Sequence, residues 1–139
     1  MRSVVIHLVD TTHEAVSARL SRFVGHSDPV EWRYPRHKPA LYIEFYNTFE
    51  NEFGPGELLP LESALGRMPD VTVIAQVSRR VPGDVELREL AECLLGTFRG
   101  LAKDEFSDHY WTIEEIRAKA SFGGLSFFDY ARWHRDRQP

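Results

Sequence analysis

A chain of 139 residues with 42% hydrophobic, 27% charged and 12% aromatic side chains is long enough to bury one core and too apolar to stay disordered. Its net charge of -4 argues against a general affinity for nucleic acid, and its single cysteine, Cys93, excludes an intrachain disulfide and suits a reducing compartment. The apolar run after Arg2 extends only from Val4 to Val9, too short for a secretory signal or a membrane span, so a cytoplasmic protein is expected.

Val4 to Val9 reads as a buried strand, and Thr11 to Glu14 as a Thr-x-x-Glu capping box. The helix it opens carries Val16, Leu20, Phe23 and Val24 at helical spacing, and Gly25 ends it. Val30 to Tyr34 and Leu41 to Tyr46 alternate as two strands of an edge hairpin around Pro35 and Pro39. On the second strand, Leu41, Ile43 and Phe45 share one face while Tyr42, Glu44 and Tyr46 share the other. Residues 47 to 57 form a loop, and a short helix starts near Pro60 and stops at Gly66.

Val71 to Ser78 is a further strand. Asp84 is placed to cap a helix whose stripe is Leu87, Leu90, Ala91, Leu94, Leu95 and Phe98, with Gly100 at its end. Leu101 to Phe106 supplies a last strand. A second Thr-x-x-Glu box at Thr112 to Glu115 opens a helix through Ile116 and Ala120, and Gly123-Gly124 breaks it. Ser126 is placed to cap a terminal helix bearing Phe127, Phe128, Tyr130 and Trp133. The expected fold is α+β, a ferredoxin-like β-α-β-β-α-β core extended by a further α-β and a helical C-terminal tail. It forms a single domain over 1–139, with core 1–106 and packed tail 107–139.

No nucleophile elbow, phosphate-binding glycine loop, zinc-protease helix or Cys-x-x-Cys pair is present, so no catalytic residue, metal ligand or cofactor is assigned. Asp108-His109 reads as a polar turn, His7 as a structural histidine within an apolar strand, and Cys93 as an inert thiol beside Glu89 and Glu92. The basic stretches Arg33-x-x-Arg36-His37-Lys38 and Arg132-x-x-Arg135-x-Arg137 suit a phosphate backbone, but the negative total charge sets nucleic acid aside as a partner.

The acidic stretch is the more informative feature. Between Ala40 and Gly66 stand Glu44, Glu50, Glu52, Glu57 and Glu62, interleaved with Tyr42, Tyr46, Phe49 and Phe53 and with no Lys or Arg. Charge steers a basic partner and aromatic rings anchor it, which makes Glu44, Phe49, Glu50, Glu52, Phe53 and Glu57 the expected partner-binding residues. Asp108-His109-Tyr110-Trp111-Thr112-Ile113-Glu114-Glu115-Ile116, followed by Gly124 and Phe127-Phe128-Asp129-Tyr130, resembles the C-terminal part of small bacterial immunity proteins that accompany polymorphic toxins. That resemblance implies tight binding of a cognate toxin and no catalysis. A protein-binding module is therefore expected. The alternatives are a small enzyme with a dispersed His/Asp/Glu site and a homodimer with a structural or regulatory role.

Overall fold

The computed structural model describes residues 2–26, 30–47 and 49–136; the side chains of Phe49, Glu50 and Asp136 lie outside that description, as does Arg137. Five strands form one antiparallel sheet in the order β2-β3-β4-β1-β5: β1 (Arg2–Val9), β2 (Trp32–Tyr34), β3 (Leu41–Phe45), β4 (Val71–Val77) and β5 (Arg99–Asp104). The helices are α1 (His13–Val24), α2 (Leu59–Leu65), α3 (Asp84–Leu95), α4 (Ile113–Arg117) and α5 (Tyr130–Asp136). The protein is thus α+β. A ferredoxin-like unit made from the first six elements would set β3 beside β1, whereas β4 occupies that place.

Alternation along the strands divides the sheet into two unlike faces. Val4, Ile6, Leu8, Val73, Ala75, Leu41, Ile43 and Trp32 are buried in one cluster with Val16 and Leu20 of α1 and Leu87, Leu90 and Leu94 of α3. On the opposite face, cross-strand register makes three rows: Tyr42, Gln76 and Ser3; Glu44, Ile74, Val5 and Lys103; and Thr72, His7 and Leu101. Helix α2 covers one end of this face, where Leu61 and Leu65 pack with Val9, Leu101, Tyr46 and Tyr110. The remainder stays part-exposed.

Several boundaries differ from expectation. Asp10 turns the chain at φ 58 with its N–H bonded to Asp70 Oδ2 at 2.6 Å, so Thr12 rather than Thr11 caps α1, accepting from Ala15 N. Gly83 precedes α3 as its N-cap, leaving Asp84 in the first turn, and Gly96 ends that helix. Gly100 therefore lies inside β5, opposite Leu8, where an added Cβ would sit 2.1 Å from the His7 carbonyl oxygen. Only glycine permits that approach of the strands.

The tail packs onto the helix-covered side. The Thr112–Glu115 capping box forms as expected, but α4 stops at Arg117. A tight turn at Gly123 and Gly124 then joins Phe122 to Leu125. Phe127 and Phe128 precede α5 instead of belonging to it, and Ser126 bonds Asp129 rather than capping the helix. Both phenylalanines are nonetheless buried with Trp111 and Ile116.

Asp104 holds this arrangement. Its Oδ1 accepts the N–H groups of Phe106 (3.1 Å) and Ser107 (3.3 Å), and its Oδ2 accepts that of Phe128 (2.7 Å). Burial raises its pKa above the ordinary carboxylate value, against the opposing pull of those three backbone donors and the Lys103 charge.

Leu94 is fully buried between α3 and the sheet. Replacing it with Ala should lower the unfolding free energy by ~2–5 kcal/mol, measurable by urea titration, whereas a loss under ~1 kcal/mol would show that the interface is not close-packed.

Candidate functional site

The acidic segment begins on β3 and runs to the end of α2. Leu41 and Ile43 are driven into the core, so Glu44 is left exposed on the open face between Tyr42 and Tyr46. Tyr46 extends the ladder by one step, its N–H donating to Thr72 O at 2.8 Å. Its hydroxyl donates to Glu52, which ties the start of the loop to its far side and raises the phenol pKa, mainly through that hydrogen bond. A short 3-10 turn spans Phe49–Glu52, and Glu57 N and Leu59 N close further turns onto Gly54 O and Gly56 O.

Beyond the turns, α2 faces two ways. Leu61 and Leu65 are buried against the sheet, while Leu59 is 60% exposed and Glu62 is exposed. Phe53 is 39% exposed, and Glu52 and Glu57 are exposed beside it in sequence. Of the expected partner-binding residues, Glu52, Phe53 and Glu57 thus lie together on the loop, and Glu44 stands on the sheet face that leads to it. The side chains of Phe49 and Glu50 lie outside the described residues.

A polar cleft of about 280 Å³ adjoins the loop, lined by His13, Tyr46, Asn47, Asn51, Asp70 and Thr72. It sits where β1 and β3 end and β4 begins, so strand-terminal polar residues converge there. Asp70 is fixed by the Asp10 N–H and by Arg67, whose guanidinium reaches Asp70 Oδ1 at 2.6 Å and Asp10 Oδ1 at 3.0 Å. These exposed ion pairs add little stability, but they orient the carboxylates at the cleft. His13 meets Phe45 edge-on, with ring centroids 4.8 Å apart. Sequence reasoning missed Asn47, Asn51, Asp70 and Leu59. The available signals were the polar residues flanking each strand end and the apolar Leu58-Leu59 pair ahead of Pro60.

The remaining candidates have structural partners. His7 is buried with Nδ1 3.2 Å from Thr72 Oγ1, and burial, followed by the Lys103 charge, lowers its pKa from 6.5 to about 4. Its ring is therefore neutral at pH 7. Asp108 and His109 do not act as a unit: His109 Nε2 lies 3.1 Å from both Glu115 oxygens, and its ring stacks on Phe122. Burial works to raise the Glu115 pKa, but the Thr112 and His109 bonds outweigh it and hold it low. Cys93 is buried with its thiol pKa raised by burial, against the opposing Arg19 charge.

Among the described residues, no group of three or more His, Cys, Asp or Glu side chains is placed to hold a metal ion, and no helix is long and apolar enough to cross a membrane. Comparison with known protein families, characterised proteins and solved structures finds no match for this chain.

The His7 environment fixes the sign of one pH dependence. The unfolded chain binds this proton near pH 6.5 and the folded chain only near 4, so His7 leaves stability intact above about 6.5 and lowers it as pH falls toward 4. The loss attributable to His7 should approach ~3 kcal/mol by the lower pH. Urea titrations across this window should show the slope diminished in His7→Gln; an unaltered slope would assign the pH dependence to other groups.

Proposed function

We propose that the chain is a protein-binding module that receives a basic partner at its acidic end. The observation that carries this reading is the exposure of Phe53 and Leu59 among Glu52, Glu57 and Glu62, on a segment whose Tyr46, Asn47 and Asn51 line a polar cleft with Asp70. A Lys or Arg side chain entering the cleft would meet a fixed carboxylate, the amide oxygens of Asn47 and Asn51 and the Thr72 hydroxyl. The two exposed apolar residues supply the desolvated contact that charge alone does not provide.

The resemblance of residues 108–130 to immunity proteins extends the proposal to a toxin as the partner and to a cytoplasmic setting, which suits a single reduced cysteine. For the fold, a ferredoxin-like reading is supported when β2 and α2 are treated as additions. Strands β1, β3, β4 and β5, with α1 and α3, then follow the alternation β-α-β-β-α-β in the spatial order β3-β4-β1-β5.

The test starts from the genomic neighbourhood, where this reading expects a toxin gene, and measures association kinetics with the product of that gene. Glu52→Lys with Glu57→Lys should slow association ~10-fold at low salt and flatten its salt dependence, because screening removes steering over roughly a Debye length. Phe53→Ala should chiefly speed dissociation, by ~5–30-fold, with little change in melting temperature because the ring is part-exposed. Unchanged kinetics in both variants, with binding intact, would place the interface elsewhere.

A further inference from the structure

The opposite end of the sheet gathers basic residues that are distant in sequence. The turn after β4 presents Arg79 and Arg80, both exposed and without a side-chain hydrogen bond or ion pair among the described residues. This turn is rigid. Arg2 donates to the carbonyls of Ser78 (3.0 Å), Val81 (2.6 Å) and Pro82 (2.8 Å), and its guanidinium lies 4.7 Å from the Tyr130 ring centroid. Arg2 is thereby engaged within the fold, and Arg79 and Arg80 are carried outward.

Two clefts meet at this pair. One, of about 460 Å³, runs toward α5 along Tyr130, Ala131 and His134. The other, of about 410 Å³, runs onto the open sheet face along Tyr42, Gln76 and Ser78. The β2–β3 loop hangs at the same end, since Ser78 N bonds Ala40 O at 2.8 Å, and it exposes Arg36, His37 and Lys38. Helix α5 also carries exposed Arg132 and Arg135, but its cleft-lining residues are Tyr130, Ala131 and His134, and the Arg132 guanidinium lies beside Gly124. Glu31 lines the second cleft, but its carboxylate is bonded to Arg33 at 3.0 Å. The Arg33 guanidinium in turn lies 6.0 Å from the Tyr42 ring centroid.

We propose that this basic end binds single-stranded nucleic acid, with phosphates held by Arg79, Arg80 and the loop cations and a base stacked on Tyr42. Guanidinium forks match phosphate oxygens, and an aromatic face beside a cationic track is what a base requires and an acidic peptide does not. The clefts continue on both sides of the arginine pair, so the track suits a polymer more than an isolated anion. The net charge of -4 does not oppose this, because Asp10, Glu52, Glu57, Glu62 and Asp70 lie at the other end, Glu105 at this end is bonded to Ser3, and screening confines each field to about a Debye length. The proposal stands apart from the basic-partner reading.

Fluorescence anisotropy with a labelled oligouridylate of about 12 nucleotides tests it, using the full chain at about 50 mM salt. Binding at micromolar concentration is expected. Arg79→Ala with Arg80→Ala should weaken it at least ~10-fold and reduce the slope of log K against log salt by about 1.4, at about 0.7 for each phosphate no longer neutralised. Tyr42→Ala should weaken binding ~5-fold or more and leave the slope unchanged, as stacking requires. Phe53→Ala, at the other end, should bind as the parent does. The substituted side chains are exposed or part-exposed, so each variant should melt as the parent does, which thermal unfolding checks. Absence of binding would overturn the proposal. So would equal affinity for polyglutamate or phosphatidylserine vesicles with Tyr42→Ala without effect, which would mark an unspecific polyanion surface.

Discussion

The arrangement depends on one buried carboxylate. Asp104 closes β5 and collects the N–H groups of Phe106, Ser107 and Phe128, of which those of Phe106 and Phe128 would otherwise be buried without this acceptor. Its hold on Phe128 places that ring under the Arg2 guanidinium, at 5.8 Å, and sets Tyr130 beside it. The Ala102–Trp111 bridge ties the start of the tail to β5, and the Phe128 bond is the further link that brings its later part, with α5, beside Arg2. The raised pKa of Asp104 follows from the same burial. Desolvation favours the neutral acid, and three donors only partly offset it.

The sheet turns this local constraint into a polarity of the whole molecule. Strands β1 and β4 run antiparallel, so the β1 end near Val9 and the start of β4 near Val71 share one end of the sheet, with Asp10, Asp70 and the acidic loop. The start of β1 and the end of β4 share the other, with Arg2, Arg79, Arg80 and the β2–β3 loop. Helices α1 and α3 close one face, while the opposite face connects the two ends through Glu44, Tyr42 and Gln76. The Glu-rich loop and the Arg79-Arg80 turn thus fall at opposite ends of the sheet because of strand order.

Much of the architecture was legible in the sequence, because its signals are local. The alternation of Leu41, Ile43 and Phe45 against Tyr42 and Glu44, the Leu87-Leu90-Leu94 stripe and the Thr112 capping box each depend on a few neighbouring residues. What escaped depends on contacts distant in sequence. Gly100 looked like a helix stop because its need for space arises from the His7 carbonyl on another strand. Phe127 and Phe128 looked helical because nothing nearby reveals the bond from Phe128 to Asp104. The acidic site was visible as composition, but its cleft required Asp70 and Thr72 from β4 and its flank. The basic stretches were visible too, but the Arg79-Arg80 turn, held by Arg2 beside Tyr130, depends on the fold.

Amide hydrogen exchange at Phe128 in Asp104→Asn tests the central role of that carboxylate most directly. An asparagine can keep its carbonyl toward Phe106 and Ser107, but its NH2 then faces the Phe128 N–H, donor against donor. The account predicts that Phe128 loses at least ~10-fold of its protection, equivalent to ~1.4 kcal/mol, while the central amides of Ile6 and Val73 lose less. Unchanged protection at Phe128 would contradict it, and the docking of the tail would then rest on the Ala102–Trp111 bridge and apolar packing.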